Sequence, residues 1–357
     1  MNRKTKSASK GSKARGSFAN IYAIYILIED YINNKFHKEG DYSAYEGAIY
    51  NKLFQRQREL PFGANLQNHA LNNRLNSEFQ GLFPTLDYYP INRIAESDRY
   101  WFNENLIKIK IGDTEINLAE SIIEIIDEYV KTKMESFERF LLSCQELQTL
   151  KPEEHNKVEE FILGQLAPNI DARLFEIVSY SILKYFYNDQ KIYWGYELKL
   201  ESLKEESLIL YKTGRTNAND GGIDFVMKPL GRFFQVTETL DFKKYFLDIH
   251  KLEEYPITFV IKSTEPNEIL LKKIEDDALN SYSVKAIVAK YMDCIEEIIN
   301  IPSLVDRFKT AVKQGYLNNI LDEVITQSKV EFNYTVEEEE ILEAIEEEEI
   351  IEEGKLE

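Results

Sequence analysis

Apolar residues in the first part of the chain recur at spacings typical of helices. Residues 18–36 are apolar on nearly every face, which predicts a buried helix. Ser43 and Glu46 have the spacing of a capping box, so a second helix is expected to begin there and to end near Arg58. A third helix is predicted over residues 65–80, where leucine and phenylalanine repeat at every fourth position and a glycine follows.

Two short apolar runs follow the third helix and flank a turn. The runs at 106–111 and 115–118 are separated by Gly112 and Asp113, which predicts a β-hairpin, and a long amphipathic helix is expected over residues 119–150. Three helices followed by a hairpin is the order of a winged helix-turn-helix, a fold that recognises DNA bases in the major groove.

One face of the third helix carries side chains that can pair with adenine and guanine edges. These predicted DNA-binding residues are Gln67, Asn68, Asn72, Asn73 and Arg74. An ordinary solvated helix face has the same composition, so a surface without a role is the alternative. The fold expected for residues 18–157 is therefore a mostly helical domain, with DNA recognition as its candidate function.

The pattern changes after residues 150–157, a charged segment that we expect to be a linker. A helix is predicted over residues 169–187, and short apolar runs separated by glycine and proline follow it. These runs predict strands at 193–200, 208–211, 223–227, 232–238, 257–261 and 285–290, with helices at 241–254 and 267–279 and further helix to about residue 329. This order predicts an α/β sandwich with a mixed central sheet over residues 158–330.

Composition narrows the class of protein. The chain has 357 residues, enough for two domains, and its 43% hydrophobic residues exclude wholesale disorder. No apolar stretch approaches the roughly 20 residues of a membrane span, and no signal-peptide pattern is visible, so we expect a cytoplasmic protein that does not bind membranes. The two cysteines and four histidines lack the spacing of a zinc site, so any metal is expected to be a hard cation on oxygen ligands.

The net charge of −19 opposes binding to a polyanion unless basic residues are concentrated locally. Residues 1–17 hold six Lys or Arg and no acid, and predict a basic disordered arm that can contact phosphates. Residues 331–357 hold 13 Glu and one Lys, and predict a solvated acidic tail. The tail could mimic DNA and screen a binding site, or it could have no role.

A pair of adjoining strands carries the main chemical signal. Gly221-Gly222-Ile223-Asp224 opens one strand, and Gln235-Val236-Thr237 lies on the next, after a turn at residues 228–231. The double glycine lets the backbone approach a ligand closely, and the turn brings Asp224 beside Gln235. Cutting a phosphodiester needs an activated water and positive charge on the phosphate, which Mg²⁺ on oxygen ligands provides. Asp224 is therefore the first predicted metal ligand.

Gln235 is a neutral oxygen donor, so a second acid is needed to complete the charge of the site. Glu176, midway along the helix before the strands, is expected to supply it, and the main-chain carbonyl of Val236 is the natural third ligand. Strand alternation places Gln235 and Thr237 on one face and Glu238 on the other.

Asp-Gly-Gly-Ile-Asp on one strand, Gln on the next and Phe-Glu on the preceding helix resemble the PD-(D/E)XK nuclease superfamily, especially its Mrr-like branch. The resemblance covers about residues 170–262. It implies a restriction-endonuclease-like αβββαβ core that hydrolyses DNA with Mg²⁺, for which Mn²⁺ can substitute. It also implies that Glu176, Asp224 and Gln235 are catalytic residues of this chain.

The sequence departs from the family pattern at Thr237, where the family has a lysine. In the family this cation can move to a neighbouring element. Lys243 and Lys244, on the predicted helix after the strand, are therefore the candidate catalytic replacements, and Lys262, at the end of the next strand, is a third.

These observations predict a type II-like restriction endonuclease acting on double-stranded DNA, with Arg215 as a further DNA contact. A homodimer is expected, because symmetric cutting of both strands suits two-fold symmetry, and the functional partner would be a DNA methyltransferase from another gene. No ATPase phosphate-binding loop or methyltransferase motif is visible. The alternatives are a Mrr-like nuclease for modified DNA, a repair nuclease, and a non-catalytic DNA-binding protein on a degenerate nuclease fold.

Overall fold

The structure is a computed structural model that describes residues 14–63, 66, 70–150, 152–197, 199–214, 223–282 and 284–332. Contacts between Cα atoms divide the chain into two units, the first ending at Phe140 and the second beginning at Leu141. The eleven α-helices in these ranges include none that is both long enough and apolar enough to cross a membrane.

The first unit is mostly helical and has two small antiparallel sheets. Its helices are α1 (Ala14–Asn33), α2 (Tyr50–Glu59), α3 (Leu75–Leu82) and α4 (Ala119–Gln148), whose last turns belong to the second unit. Strands β1 (Ala48–Ile49), β2 (Ile91–Ile94) and β3 (Arg99–Phe102) form a sheet in the order β1-β3-β2, and β4 (Lys108–Ile111) pairs with β5 (Thr114–Asn117).

Helix α1 forms the centre of the first unit, as its all-round apolar pattern predicts. Tyr22, Ile26 and Tyr31 are at most 1% exposed and belong to one hydrophobic cluster with residues of α3, β3 and α4. The hairpin around Gly112 and Asp113 and the long helix after it are confirmed.

Two predictions for the first unit are corrected. The second helix begins at Tyr50 instead of Ser43, because the Asp41 side chain accepts a hydrogen bond from the Ser43 N–H and closes a single 3₁₀ turn, after which β1 is extended. The third helix opens with a π-helical turn over Ala70–Arg74, and residues 64, 65 and 67–69 lie outside the described residues. The β2–β3 hairpin was not predicted, because strands of four residues are too short for a clear alternation.

The second unit is built around a five-stranded mixed sheet. The strands are β8 (Ile209–Lys212), β9 (Phe225–Lys228), β10 (Arg232–Thr237), β11 (Ile257–Ile261) and β12 (Ile295–Ile299), in the spatial order β12-β11-β10-β9-β8. The pairs β8–β9 and β9–β10 are antiparallel, and β10–β11 and β11–β12 are parallel. A separate hairpin joins β6 (Lys191–Trp194) and β7 (Lys204–Ser207).

Seven helices accompany the strands in the described part of this unit. They are α5 (His155–Gly164), α6 (Ala172–Tyr187), α7 (Phe242–Lys251), α8 (Asn267–Ser281), α9 (Lys285–Asp293), α10 (Ile301–Lys313) and α11 (Leu317–Phe332). The mixed α/β class predicted for this half of the chain is confirmed.

Helices pack on both faces of the five-stranded sheet. On one face, the rings of Phe225 and Phe234 contact Tyr180 and Tyr187 of α6, with centroids 5.2 and 6.3 Å apart. On the other face, Phe259 contacts Tyr245 of α7 at 4.6 Å, within a cluster that includes α8 and α9. Successive side chains of a strand alternate between these two layers.

One predicted strand is wrong. Residues 285–290 form the first part of α9, and the strand lies at Ile295–Ile299, where helix was expected. A short apolar run does not distinguish strand from helix by period, and here the β-branched isoleucines after Cys294 form the strand. The strand expected at 193–200 is also shorter, because the chain bends after Trp194.

The boundary between the two units lies between Phe140 and Leu141, whereas a linker was expected at residues 150–157. His155 is the first residue of α5, and the linker segment lies within the second unit. Leu141 and Cys144 at the end of α4 are buried, and the Gln148 amide donates to Asp322 Oδ1 of α11 at 2.6 Å. The last turns of α4 therefore pack as part of the second unit.

Buried tyrosines should make the fold sensitive to alkali. Burial raises the pKa of Tyr22, Tyr31 and Tyr42 in the first unit above the ordinary value of about 10. Their contribution to stability is therefore complete below pH of about 10 and is lost as the pH rises further. We expect native near-UV circular dichroism up to about pH 10 and a cooperative loss above it, coincident with tyrosinate absorbance at 295 nm. Titration of all tyrosines near pH 10 in a chain with native circular dichroism would contradict this expectation.

Candidate functional site

Asp224 is held in place at the end of β9 by main-chain hydrogen bonds. Its N–H donates to the Phe234 carbonyl at 2.9 Å, and its carbonyl accepts from the Thr213 N–H and Oγ1, both at 3.0 Å. Its carboxylate oxygen Oδ2 accepts from the Val236 N–H at 2.6 Å. The antiparallel register of β9 and β10, in which Phe225 is opposite Phe234, brings these groups together.

Gln235 contacts the same residue, Val236, at its carbonyl group. Gln235 Nε2 donates to the Val236 carbonyl at 3.2 Å, so Asp224 and Gln235 contact the N–H and the C=O of Val236 respectively. The second amide atom, Gln235 Oε1, is buried and has no hydrogen-bond partner. Most buried polar atoms are paired, so this oxygen marks a position where a ligand would be stabilising.

Thr237, two residues after Gln235 on β10, is paired with a lysine of a neighbouring helix. Thr237 is 3% exposed, and its hydroxyl accepts from Lys244 Nζ of α7 at 3.2 Å. Gln235 and Thr237 are opposite Phe259 and Ile261 of β11, whose side chains belong to the α7 cluster. The two β10 residues therefore lie on the face covered by α7.

The other candidate lysines have different surroundings. Lys243 is exposed on α7, with its Nζ 6.0 Å from the ring centroid of its neighbour Phe242. Lys262 has a side chain only 3% exposed, and its Nζ contacts Glu238 Oε1 at 2.6 Å and the Ile170 carbonyl. Lys262 thus pairs with Glu238, the acid that strand alternation places on the opposite face from Gln235.

Glu176 is buried on α6 and pairs with a lysine that was not predicted. Its Oε1 is 3.3 Å from Lys212 Nζ, at the end of β8, and Glu331 Oε2 of α11 is 3.8 Å from the same nitrogen. Their side-chain exposures are 2%, 8% and 4% for Glu176, Lys212 and Glu331. The three charged groups form a buried cluster, which we call the Lys212 cluster.

The sequence contains a signal for Lys212 that was overlooked. Strand alternation puts Lys212 on the same face as Leu210, which is 2% exposed, so a buried cation is implied once β8 is recognised. Burial of an ammonium requires a partner of opposite charge. Its two partners lie on α6 and α11, far away in the sequence, and no local pattern identifies them.

The predicted DNA-binding residues are only partly described. Asn73 is exposed, and Arg74 Nε is 3.5 Å from Glu78 Oε1 within the same helical segment. Gln67, Asn68 and Arg215 lie outside the described residues, as does the side chain of Asn72.

The oxygen donors around Val236 fit a hard divalent cation. The Asp224 carboxylate, the unpartnered Gln235 Oε1 and the Val236 carbonyl are oxygen ligands of the kind that Mg²⁺ prefers. The carbonyl can retain its bond from Gln235, because it has two lone pairs. Among the described residues no group of three His, Cys, Asp or Glu is arranged to hold a metal, so the fit depends on amide and main-chain oxygens.

Comparisons with protein-family models, with curated proteins and with solved structures give no match to this chain.

The Asp224–Val236 bond gives a stability prediction that needs no ligand. Asp224→Ala leaves the Val236 N–H buried and unpaired, at a cost of about 1–3 kcal/mol, whereas Asp224→Asn keeps an acceptor oxygen in the same position. We expect urea unfolding in EDTA to give a lower free energy of unfolding for the alanine variant than for the asparagine variant. Equal stability of the two variants would contradict this hydrogen bond.

Proposed function

We propose that the chain is a Mg²⁺-dependent endonuclease that hydrolyses phosphodiester bonds of double-stranded DNA, and that it acts as a restriction enzyme. The observation that carries the proposal is the convergence of Asp224 and Gln235 on the peptide groups of Val236, with Gln235 Oε1 left unpartnered. A buried amide oxygen without a partner is destabilising, and binding of a hard cation would relieve that cost.

Three oxygen donors would hold the ion: the Asp224 carboxylate, Gln235 Oε1 and the Val236 carbonyl. A bound Mg²⁺ supplies an activated water and positive charge for the phosphate. Val236 N–H fixes the orientation of the Asp224 carboxylate, and the two bonds from Thr213 fix its main chain. The protein would thus set the positions of these three donors before any ion or DNA binds, which is the preorganisation that catalysis requires.

Lys244 would take over the role of the family lysine. Its ammonium donates to Thr237, so positive charge is present at that position although it comes from α7 instead of β10. A lysine near a scissile phosphate stabilises the negative charge that develops during hydrolysis. Glu176 would be the second acid of the site.

The remaining parts of the proposal follow from restriction chemistry. The first unit would recognise the DNA sequence, with the helical segment that carries Asn73 and Arg74 as its candidate surface. A homodimer would cut both strands, and a separate DNA methyltransferase would protect the host DNA, both within the bacterial cytoplasm. The same site would also serve a Mrr-like nuclease for modified DNA or a repair nuclease.

A non-catalytic DNA-binding protein is the second candidate. The ion pair between Glu176 and Lys212 favours it, because the Glu176 carboxylate is paired with a buried lysine and Thr237 stands where the nuclease pattern has a lysine. In that case the chain would keep the nuclease-like sheet and lack hydrolysis.

Cleavage should depend on Asp224 and on a divalent ion. We expect wild type to cut plasmid DNA with Mg²⁺ or Mn²⁺, and Asp224→Asn to lower the rate by about 10²- to 10³-fold, because a charged ligand is lost. DNA binding, measured by gel shift in EDTA, should be unchanged. Parallel digestion of methylated and unmethylated plasmid separates a restriction enzyme from a nuclease for modified DNA. Binding without cutting at all ion concentrations would establish the second candidate.

The two adjacent lysines of α7 provide a matched comparison. We expect Lys244→Ala to lower the single-turnover cleavage rate by about 10²-fold and Lys243→Ala to change it by less than about threefold, because only Lys244 contacts Thr237. Both substitutions remove one positive charge from the same helix, so a general electrostatic effect on DNA binding is equal in the two. A larger loss in Lys243→Ala would assign the role to Lys243.

A further inference from the structure

Helices cover the face of the five-stranded sheet under α7 unevenly. On β11, the side chains of Ile257, Phe259 and Ile261 are buried in the hydrophobic cluster that includes α7. On β8, at the edge of the sheet, Ile209 and Tyr211 are 47% and 42% exposed. The described helices therefore leave this face open at its β8 edge.

Strand register shows that the open part belongs to the face that carries Gln235. Tyr211 is opposite Val226, which is opposite Phe233, two residues before Gln235. Opposite residues on neighbouring strands lie on the same face, and so do residues two apart on one strand. We call the exposed and partly exposed side chains of this face on β8 and β9 the open strip: Ile209, Tyr211, Val226 and Lys228.

The open strip lies beside the candidate site, on the side away from α7. Helix α7 covers the other side of this face, where Lys244 contacts Thr237 and Tyr245 packs on Phe259. A DNA strand bound at Gln235 would therefore meet α7 on one side and the open strip on the other. Its neighbouring nucleotides would continue over β9 and β8.

Lys228 supplies positive charge to the open strip. It is exposed, and its Nζ lies 4.9 Å from the centroid of the Tyr211 ring. A cation over the face of an aromatic ring is attracted to it, so the ring favours a position of the ammonium on this face of the sheet. The ammonium has three N–H donors, so it can bind a phosphate while it remains over the ring.

We propose that Lys228, held by the Tyr211 ring, binds a backbone phosphate of the DNA strand that is cut. The inference rests on the proposed function, because it takes DNA as the partner of this face. Lys228 follows Asp224 by four residues along an extended strand, which at about 3.4 Å for each residue is about 13 Å. Its phosphate is therefore a neighbour of the scissile one, and Tyr211 is a positioning residue.

The salt dependence of DNA binding tests the contact without cleavage. Binding of a fluorescent DNA duplex to the full chain is measured by anisotropy in EDTA over a series of NaCl concentrations. We expect Lys228→Ala to lower the slope of log K against log salt by about 0.9, because one phosphate contact is lost. At 0.1 M salt the dissociation constant should rise about fivefold to tenfold.

Variants of Tyr211 test its positioning role. Tyr211→Leu keeps an apolar side chain and removes the ring, so it should weaken binding less than Lys228→Ala does, whereas Tyr211→Phe keeps the ring and should retain the slope. Tyr211→Leu should have no further effect on the slope when Lys228 is already alanine. A further decrease in the double variant would overturn the positioning role.

The chain offers a matched control in the hairpin of β6 and β7. Lys204 is also exposed, and its Nζ lies 5.4 Å from the centroid of the Trp194 ring. Lys204→Ala removes the same charge from a separate sheet, so we expect the wild-type slope. Equal decreases in Lys204→Ala and Lys228→Ala would show that only total charge matters, and would overturn the inference.

The outcomes separate the inference from the proposed function. A wild-type slope in Lys228→Ala overturns the inference, and Asp224-dependent cleavage by wild type then leaves the proposed function intact. A lower slope in that variant without any Asp224-dependent cleavage supports the phosphate contact and overturns hydrolysis. Absence of DNA binding by wild type overturns both.

A second copy of the chain is the other occupant that a partly apolar strip could have. Sedimentation velocity distinguishes it from DNA. If Tyr211→Leu converts a dimer into a monomer and leaves the salt slope unchanged, the open strip is a contact between copies and the inference is overturned.

Discussion

The register between β9 and β10 is the constraint on which the candidate site depends. Because Phe225 is opposite Phe234, Asp224 falls next to Val236, and its carboxylate can accept the N–H that β9 no longer pairs. A shift of one residue would turn every side chain of the strand to the opposite layer. The aromatic rings of Phe225 and Phe234, both fully buried against α6, therefore fix the position of the acid as well as the core.

Several charged side chains of the second unit lie at the ends of the strands of the five-stranded sheet. Three lysines of the described part have partners there: Lys244 at Thr237, Lys262 at Glu238 and Lys212 at Glu176. Each comes from a different element, and two of them are almost completely buried. A chain with a net charge of −19 thus places lysines next to the residues proposed to bind a cation and a polyanion, and two of these lysines are paired with carboxylates. Local distribution can matter more than the total charge for such a partner.

Local sequence patterns predicted much of the second unit and brought together part of its candidate site. Strand β11 was predicted to the residue, and Asp224, Gln235 and the turn between them were predicted from glycines and alternation. Residues 285–290 were mispredicted because a short apolar run suits either a strand or a helix. The Lys212 cluster could not be predicted, since Glu176, Lys212 and Glu331 come from three elements that only the tertiary fold brings together. Lys244 contacts Thr237 and Lys243 does not, because of the way α7 is rotated about its axis. Sequence spacing alone does not determine this rotation.

The two bonds from Thr213 to the Asp224 carbonyl make the position of the acid independent of much of the chain before it. Thr213 and Asp224 lie on either side of positions 214–223, so these bonds hold the two ends of this segment together. For a chain segment between two fixed points, each doubling of its length costs only about 0.6 kcal/mol. The position of the Asp224 carboxylate is therefore set by its bonds to Thr213 and Val236 and depends little on the number of residues between Thr213 and Asp224.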